Sequence, residues 1–103
     1  MLYVVTQSGQ GPFRLEYFYI DGTVDSEGGR DFRMKGLIRI DLETTELIEL
    51  GEFVFFKQAI EVFSAMDRIS NDLLYYRTNQ GFYEIPPAIV SEQECLRIYG
   101  SLY

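Results

Sequence analysis

The sequence predicts an α+β fold: a small antiparallel sheet of four to six strands, with one main helix and a short C-terminal helix packed on one face. Two observations lead to this prediction. In the first half of the chain, apolar and polar residues alternate in short segments, as in strands that are buried on one side. After residue 56 the apolar residues recur every three or four positions, which is typical of an amphipathic helix. The 103 residues, of which 47% are hydrophobic, suffice for one compact domain spanning residues 1–103.

Two strands are predicted at the start of the chain. Residues 2–6 are rich in β-branched and aromatic side chains, residues 8–12 contain the glycines and proline of a turn, and residues 13–20 form the second strand. Residues 21–31 contain three glycines and are predicted to be a loop. The two faces of the second strand carry Phe13, Leu15, Tyr17 and Tyr19 on one side, and Arg14, Glu16, Phe18 and Ile20 on the other.

Residues 32–42 show the clearest alternation in the chain, and we predict a third strand there. A turn at residues 43–46 and a returning strand at residues 47–50 would complete a hairpin. Residues 51–56 fit either more sheet or the start of the helix. The predicted core face of the third strand consists of Phe32, Met34, Gly36, Ile38, Ile40 and Leu42, and its other face carries the basic residues Arg33, Lys35 and Arg39.

The main helix is predicted over residues 57–69, where the apolar residues form one wide face. Residues 73–85 leave two interpretations open. Their aromatic density and turn-forming residues favour a hairpin, and a continuation of the main helix is the alternative. Ser91 and Glu94 have the spacing of a capping box, so a last helix is predicted to begin there and to run towards Gly100.

The chain has no histidine and a single cysteine, Cys95. A Ser-His-Asp triad, a Cys-His pair, a Cys/His zinc site and an internal disulfide therefore cannot be built from it. Oxygen ligands on alternate residues from Asp21 to Glu27 suggest part of a calcium loop, but the glycine and glutamate that such a loop needs further along are missing. We expect no catalytic residues, no metal and no cofactor, and Cys95 is expected to be a buried apolar residue.

The charge of the chain is unevenly distributed. The net charge is -7, and residues 1–40 carry five residues of each sign, so the whole excess lies after residue 40. Such an acidic region attracts basic proteins and disfavours nucleic acid and anionic membranes as partners. A solvated hairpin, whose charges discourage edge-to-edge aggregation, is the alternative interpretation. Five acids follow one another without a base, and they are the predicted partner-binding residues: Asp41, Glu43, Glu46, Glu49 and Glu52.

Aromatic residues give a second indication of a binding surface. The chain has eight tyrosines and eight phenylalanines, more than a core of this size needs. Exposed tyrosine is enriched at protein interfaces, although tyrosine rings also commonly cap a core with their hydroxyls in water. Four aromatics near one predicted turn complete the predicted partner-binding set: Tyr75, Tyr76, Phe82 and Tyr83.

These features predict a small acidic, non-catalytic binding protein that inhibits or neutralises a basic protein partner. Nucleic-acid-handling enzymes, defence effectors and toxins are suitable partners, and phage-encoded inhibitors and immunity proteins act in this way. A cytosolic location, bacterial or in a host cell, is expected, because no apolar stretch approaches the twenty residues of a membrane span and the first residues lack a basic segment.

Two alternative functions stay open. The chain could bind or sequester a small ligand such as a nucleotide, or it could be a structural subunit of a larger complex or a homo-oligomer. For a nucleotide, tyrosine rings would stack the base and basic side chains would hold the phosphates. The ligand-binding residues in this alternative are Arg33, Lys35, Arg39, Tyr17 and Tyr19.

Overall fold

The computed structural model describes residues 2–24, 30–71 and 82–103. The strands are β1 (Leu2–Val5), β2 (Phe13–Val24), β3 (Arg30–Arg39), β4 (Thr45–Phe53) and β5 (Tyr83–Glu84), and the helices are α1 (Phe56–Ser70) and α2 (Glu92–Tyr99). One five-stranded sheet has the order β4-β3-β2-β1-β5. The pairs from β1 to β4 are antiparallel, whereas β1 and β5 run parallel. The predicted α+β fold is confirmed.

The core lies between one face of the sheet and α1. The helix contributes Ala59, Val62 and Met66, which lie on one side of it because they are three or four residues apart. Gly36 of β3 has to be small, since a Cβ atom there would lie only 2.8 Å from Leu15 Cδ2. The sheet and the segment after it contribute Leu2, Val4, Leu15, Met34, Leu50, Phe53 and Ile85.

Two β-bulges change which face of the sheet the side chains reach. Residues 15–17 of β2 lie opposite only two residues of β3, so Leu15 and Phe18 both reach the core side, and Tyr17 turns outwards. The prediction that Leu15, Tyr17 and Tyr19 share one face was therefore wrong. The bulge also explains why Arg14 and Glu16 are followed in the alternation by the apolar Phe18 and Ile20. The two apolar residues come after the bulge and pack against the core. A second bulge lies in β4 at residues 49–51, opposite Met34 and Lys35.

Several predicted boundaries differ from those in the structure. Residues 21–31 are not all loop, because β2 continues to Val24 and β3 already begins at Arg30. The third strand ends at Arg39 rather than at residue 42, and the side chain of Leu42 is 93% exposed. The chain turns there because the Asp41 carboxylate accepts hydrogen bonds from two backbone N–H groups of the turn, at 2.9 and 2.8 Å.

The structure also bears on the three segments around the helices whose boundaries the sequence left open or predicted. β4 runs to Phe53 and α1 begins at Phe56, which resolves the ambiguity at residues 51–56. Most of residues 73–85 lies outside the described residues, so neither interpretation of that segment is tested beyond the short strand β5. The capping box is confirmed in part, since Ser91 Oγ accepts a hydrogen bond from the Glu94 N–H at 3.3 Å.

Gln7, just after β1, joins the two ends of the sheet. Its N–H donates to the Leu50 carbonyl at 2.8 Å. Its side-chain amide pairs with the backbone of Glu52, at 3.0 and 3.1 Å, much as a neighbouring strand would. The same amide nitrogen donates to the Pro86 carbonyl at 2.9 Å. The curved sheet is thereby closed from β1 onto β4, and we call these four hydrogen bonds the Gln7 clasp.

A second glutamine amide holds the segment between β5 and α2 against the main helix. Gln58 of α1 is almost completely buried. Its Nε2 donates to the Pro87 carbonyl at 3.0 Å, and its Oε1 accepts from the Ile89 N–H at 2.8 Å. The buried amide is thus satisfied by the backbone of a segment that forms neither helix nor strand. Of the helices in the described part of the chain, none has the length and apolar content required to traverse a bilayer.

The Gln7 clasp leads to a stability prediction. Gln7→Ala removes three hydrogen bonds of the side chain, and we expect the free energy of unfolding to fall by about 1–3 kcal/mol because the Glu52 and Pro86 groups lose their partner. Urea denaturation followed by circular dichroism measures this change. Gln10→Ala is the matched control, since Gln10 is exposed in the same turn, and a loss of stability as large as that of Gln7→Ala would contradict the role of the clasp.

Candidate partner-binding site

A groove lies along the edge of β4 that faces away from β3, and we call it the β4 groove. Residues 46–52 of β4 form one wall, and the turn after β1 together with the start of β2 forms the other. The volume of the groove is about 480 Å³. Of the described residues that line it, three are glutamates and none is basic. The wall opposite β4 consists of Thr6, Gln7, Ser8, Gln10 and Phe13.

The turn that forms this second wall is built by the hydroxyl of Thr6. This side chain is 4% exposed, and its Oγ1 accepts a hydrogen bond from the Gln10 N–H at 3.0 Å and lies 3.0 Å from Ser8 Oγ. Gly11 then has a φ of +112°, and a Cβ atom there would lie 2.8 Å from the Val4 carbonyl oxygen, so no other residue fits. The wall therefore has a defined shape and polar side chains.

The five predicted acids do not form a single patch. Asp41 and Glu43 lie in the turn before β4, and Glu46 lies on the face of β4 that continues the core side, opposite Ile38. Glu49 lies on the other face, opposite Lys35. The reason is the period of two of a strand, which sends residues three positions apart to opposite faces.

Glu49 and Glu52 are also three positions apart, yet they share the outer face of the sheet. The β4 bulge inserts one extra residue between them and restores their alignment. The buried Nε of Arg33 lies 3.9 Å from a carboxylate oxygen of each, which is too far for a hydrogen bond. Two carboxylates thus share one guanidinium, and an excess of negative charge is left beside the groove.

The basic face predicted for β3 is real, but its cations have acidic neighbours. Lys35 Nζ lies 3.3 Å from Asp21 Oδ2. Arg39 forms two hydrogen bonds with Glu16, at 2.6 and 3.2 Å, and these bonds lower the pKa of the Glu16 carboxyl. A phosphate group bound at Arg33, Lys35 or Arg39 would have to compete with these carboxylates.

The tyrosines proposed for nucleotide stacking lie on this same outer face. The rings of Tyr17 and Tyr19 are 6.0 Å apart and tilted by 30°, and Tyr17 is 61% exposed. Tyr17 lies opposite Leu37, which in turn lies opposite Leu47 of β4, so an apolar row crosses three strands between rows of charged residues. Nucleotide binding at this face stays a prediction.

Of the aromatic residues in the predicted partner-binding set, two are described, and neither lines the β4 groove. Phe82 precedes β5 and Tyr83 lies in it. Phe82 is 43% exposed, whereas Tyr83 packs against the core, and burial together with the nearby Tyr99 raises its pKa. Tyr75 and Tyr76 lie outside the described residues.

An open apolar cleft of about 440 Å³ lies on the core side, between the outer part of the β2–β3 hairpin and the first turns of α1. Two aromatic pairs form its sides: Phe18 with Phe63, at 5.0 Å between ring centres, and Phe32 with Phe56, at 5.3 Å. Ile60, between the two helical phenylalanines, completes the apolar lining from α1. The spacing of these helical residues was visible in the sequence, but it predicted only core.

Cys95 is fully buried in α2, as expected. Burial raises the pKa of its thiol, which donates to the Ser101 carbonyl with the sulfur 3.4 Å from the oxygen. Within residues 2–24, 30–71 and 82–103, no three side chains of His, Cys, Asp or Glu come together in an arrangement that would hold a metal ion.

The residues of the turn wall were missed by sequence reasoning. Gln7, Ser8 and Gln10 stand in a segment whose glycines and proline predict only a turn. The hydrogen bonds of Gln7 with β4 join residues more than forty positions apart, and no local pattern carries that information. Comparison of the chain with known protein families, with curated protein sequences and with solved structures finds no match.

The turn before β4 leads to a prediction about pH. Hydrogen bonds from the backbone of Glu43, and then from Thr44, lower the pKa of Asp41 in the folded protein. A lowered pKa stabilises the fold fully above the unfolded value, and this contribution is lost as the pH falls through the folded value. Asp41→Ala should therefore lower the melting temperature at pH 7, and the difference from the parent should shrink as the pH falls below the ordinary range of an aspartate.

Thermal denaturation monitored by circular dichroism between pH 2 and pH 7 measures this difference. Glu43→Ala is the matched control, because it removes a carboxylate from the same turn and leaves the backbone N–H groups that bind Asp41. A difference between Asp41→Ala and the parent that is the same at every pH would contradict the prediction.

Proposed function

We propose that this chain is a non-catalytic binding protein that holds a basic segment of another protein in the β4 groove. The observation that carries the proposal is the charge of the groove: Glu46, Glu49 and Glu52 line it, and no basic side chain is among its described lining residues. The Arg33 guanidinium is shared by two of these carboxylates, with its Nε 3.9 Å from an oxygen of each. A positively charged partner would be attracted at long range and would gain charge-assisted hydrogen bonds on contact.

Inhibition or neutralisation is the activity that such binding would have. A nucleic-acid-handling enzyme, a defence effector or a toxin exposes lysine and arginine where it binds phosphates. An acidic protein seated there would cover the basic surface and exclude its substrate. The exposure of the acids on β4 and on the turn before it supports this function, because a partner can reach their carboxylates.

The lowered pKa values of two carboxyl groups, Glu16 and Asp41, fit structural roles for these two side chains. Glu16 and Asp41 both have a lowered pKa, whereas a carboxyl that acts as a general acid near neutral pH needs a raised one. Both groups are exposed, and each serves an ion pair or a turn. Their partners account for the shifts without a reaction.

The test is capture of partners from the source cells with two charge-reversed variants. The groove variant, Glu46→Lys/Glu49→Lys, reverses the charge of two acids in the β4 groove. The helix variant, Asp67→Lys/Glu92→Lys, reverses the charge of two exposed acids on the helices. We expect proteins with basic surfaces to bind the parent and the helix variant but not the groove variant. For a purified partner, the association rate at low salt should fall about tenfold or more in the groove variant.

Two results would overturn the proposal. One is capture of the same proteins by the parent, the groove variant and the helix variant, which would mean that partners bind outside the β4 groove. The other is an affinity of the purified partner that is independent of salt between low and physiological ionic strength, since exposed charge pairs are screened over about 10 Å at 0.1 M salt.

A further inference from the structure

We infer that the partner binds by strand addition: an extended basic segment pairs its backbone with residues 45–49 of β4 and extends the sheet inside the β4 groove. This inference rests on the proposed function, and it adds how the partner is held and which residues the partner needs. The starting point is the order of the described strands, in which β4 is terminal and pairs with β3. A terminal strand presents backbone N–H and C=O groups that another strand can pair with.

The Gln7 clasp defines how much of this edge is available. Gln7 already forms hydrogen bonds with the Leu50 carbonyl and with the N–H and carbonyl of Glu52. An added strand therefore has to end before residue 50. Residues 45–49 lie ahead of that point and measure about 17 Å along an antiparallel strand. The turn that contains Ser8 and Gln10 borders the groove on the other side and would contact the added strand with polar side chains.

The alternation of β4 determines the sequence that fits. Glu46 and Ile48 lie on one face, and Leu47 and Glu49 lie on the other. Residues that lie directly opposite each other in a sheet interact on the same face. The best partner therefore has the order basic, apolar, apolar, basic opposite residues 46–49. This order reads the same in both directions, so charge and apolarity alone permit a parallel or an antiparallel strand.

A second copy of this chain fits the edge less well. Pairing two β4 strands over residues 45–49 would bring Glu46 and Glu49 of one copy beside the same residues of the other. Like charges across a strand pair destabilise it. Charge therefore selects a basic segment of a different protein as the occupant.

The experiment uses the full chain and a ten-residue peptide with Lys-Val-Val-Lys at its centre, studied by isothermal titration calorimetry in low salt. Two analogues are N-methylated on alternate residues, one along each edge of the extended peptide. Methylation removes the donors of one edge and leaves the charges unchanged. We expect one analogue to bind about tenfold more weakly or worse and the other to bind as the parent peptide does, because only one edge pairs with β4.

Amide hydrogen exchange of the protein gives a second measurement. Binding of the parent peptide should slow exchange at residues 45–49, with no comparable effect in α1. Equal affinity of both methylated analogues, with binding still lost in Glu46→Lys/Glu49→Lys, would overturn strand addition and leave the acidic site standing. If only one methylated analogue binds weakly but the affinity is the same in Glu46→Lys/Glu49→Lys, the acidic site is overturned instead. If no peptide binds, both proposals are overturned.

Discussion

The closure of the sheet by Gln7 is the constraint on which the rest of the structure depends. A small sheet that stayed open would leave the backbone of β4 unpaired at Leu50 and Glu52, and it would separate the turn after β1 from that strand. One side-chain amide supplies both a donor and an acceptor, so it replaces a strand residue where the backbone of β1 has already turned away. The β4 groove exists because the clasp joins its two walls at one end only.

The two β-bulges have a similar influence on the outer face of the sheet. Each inserts one residue, and each therefore reverses the direction of every side chain that follows it. Without the β4 bulge, Glu49 and Glu52 would lie on opposite faces and could not share Arg33. The charge pattern at the surface is consequently a property of strand register and not of spacing along the sequence.

These effects explain which expectations could be derived from the sequence. Alternation in β3 and the helical spacing in α1 depend on neighbouring residues, so the fold class, the helix near residues 57–69 and the cap at Ser91 were predictable. The outward direction of Tyr17 depends on a bulge, and the role of Gln7 depends on contacts with residues 52 and 86. Acidic residues could be counted in advance, but the shared face of Glu49 and Glu52 could not be predicted, because it depends on the β4 bulge.

The parallel pairing of β1 with β5 has a consequence for how the chain is made. Val4 lies opposite Tyr83, so the second edge of β1 is paired only after a much later part of the chain has been added. Until then a nascent chain can form the hairpins of β2, β3 and β4 but cannot complete the sheet. A topology with such distant contacts folds slowly for its size, because the entropy of closing long loops is lost before the contacts are gained. Completion of the sheet is therefore linked to the arrival of Tyr83 and Glu84, which lie far along the chain from β1.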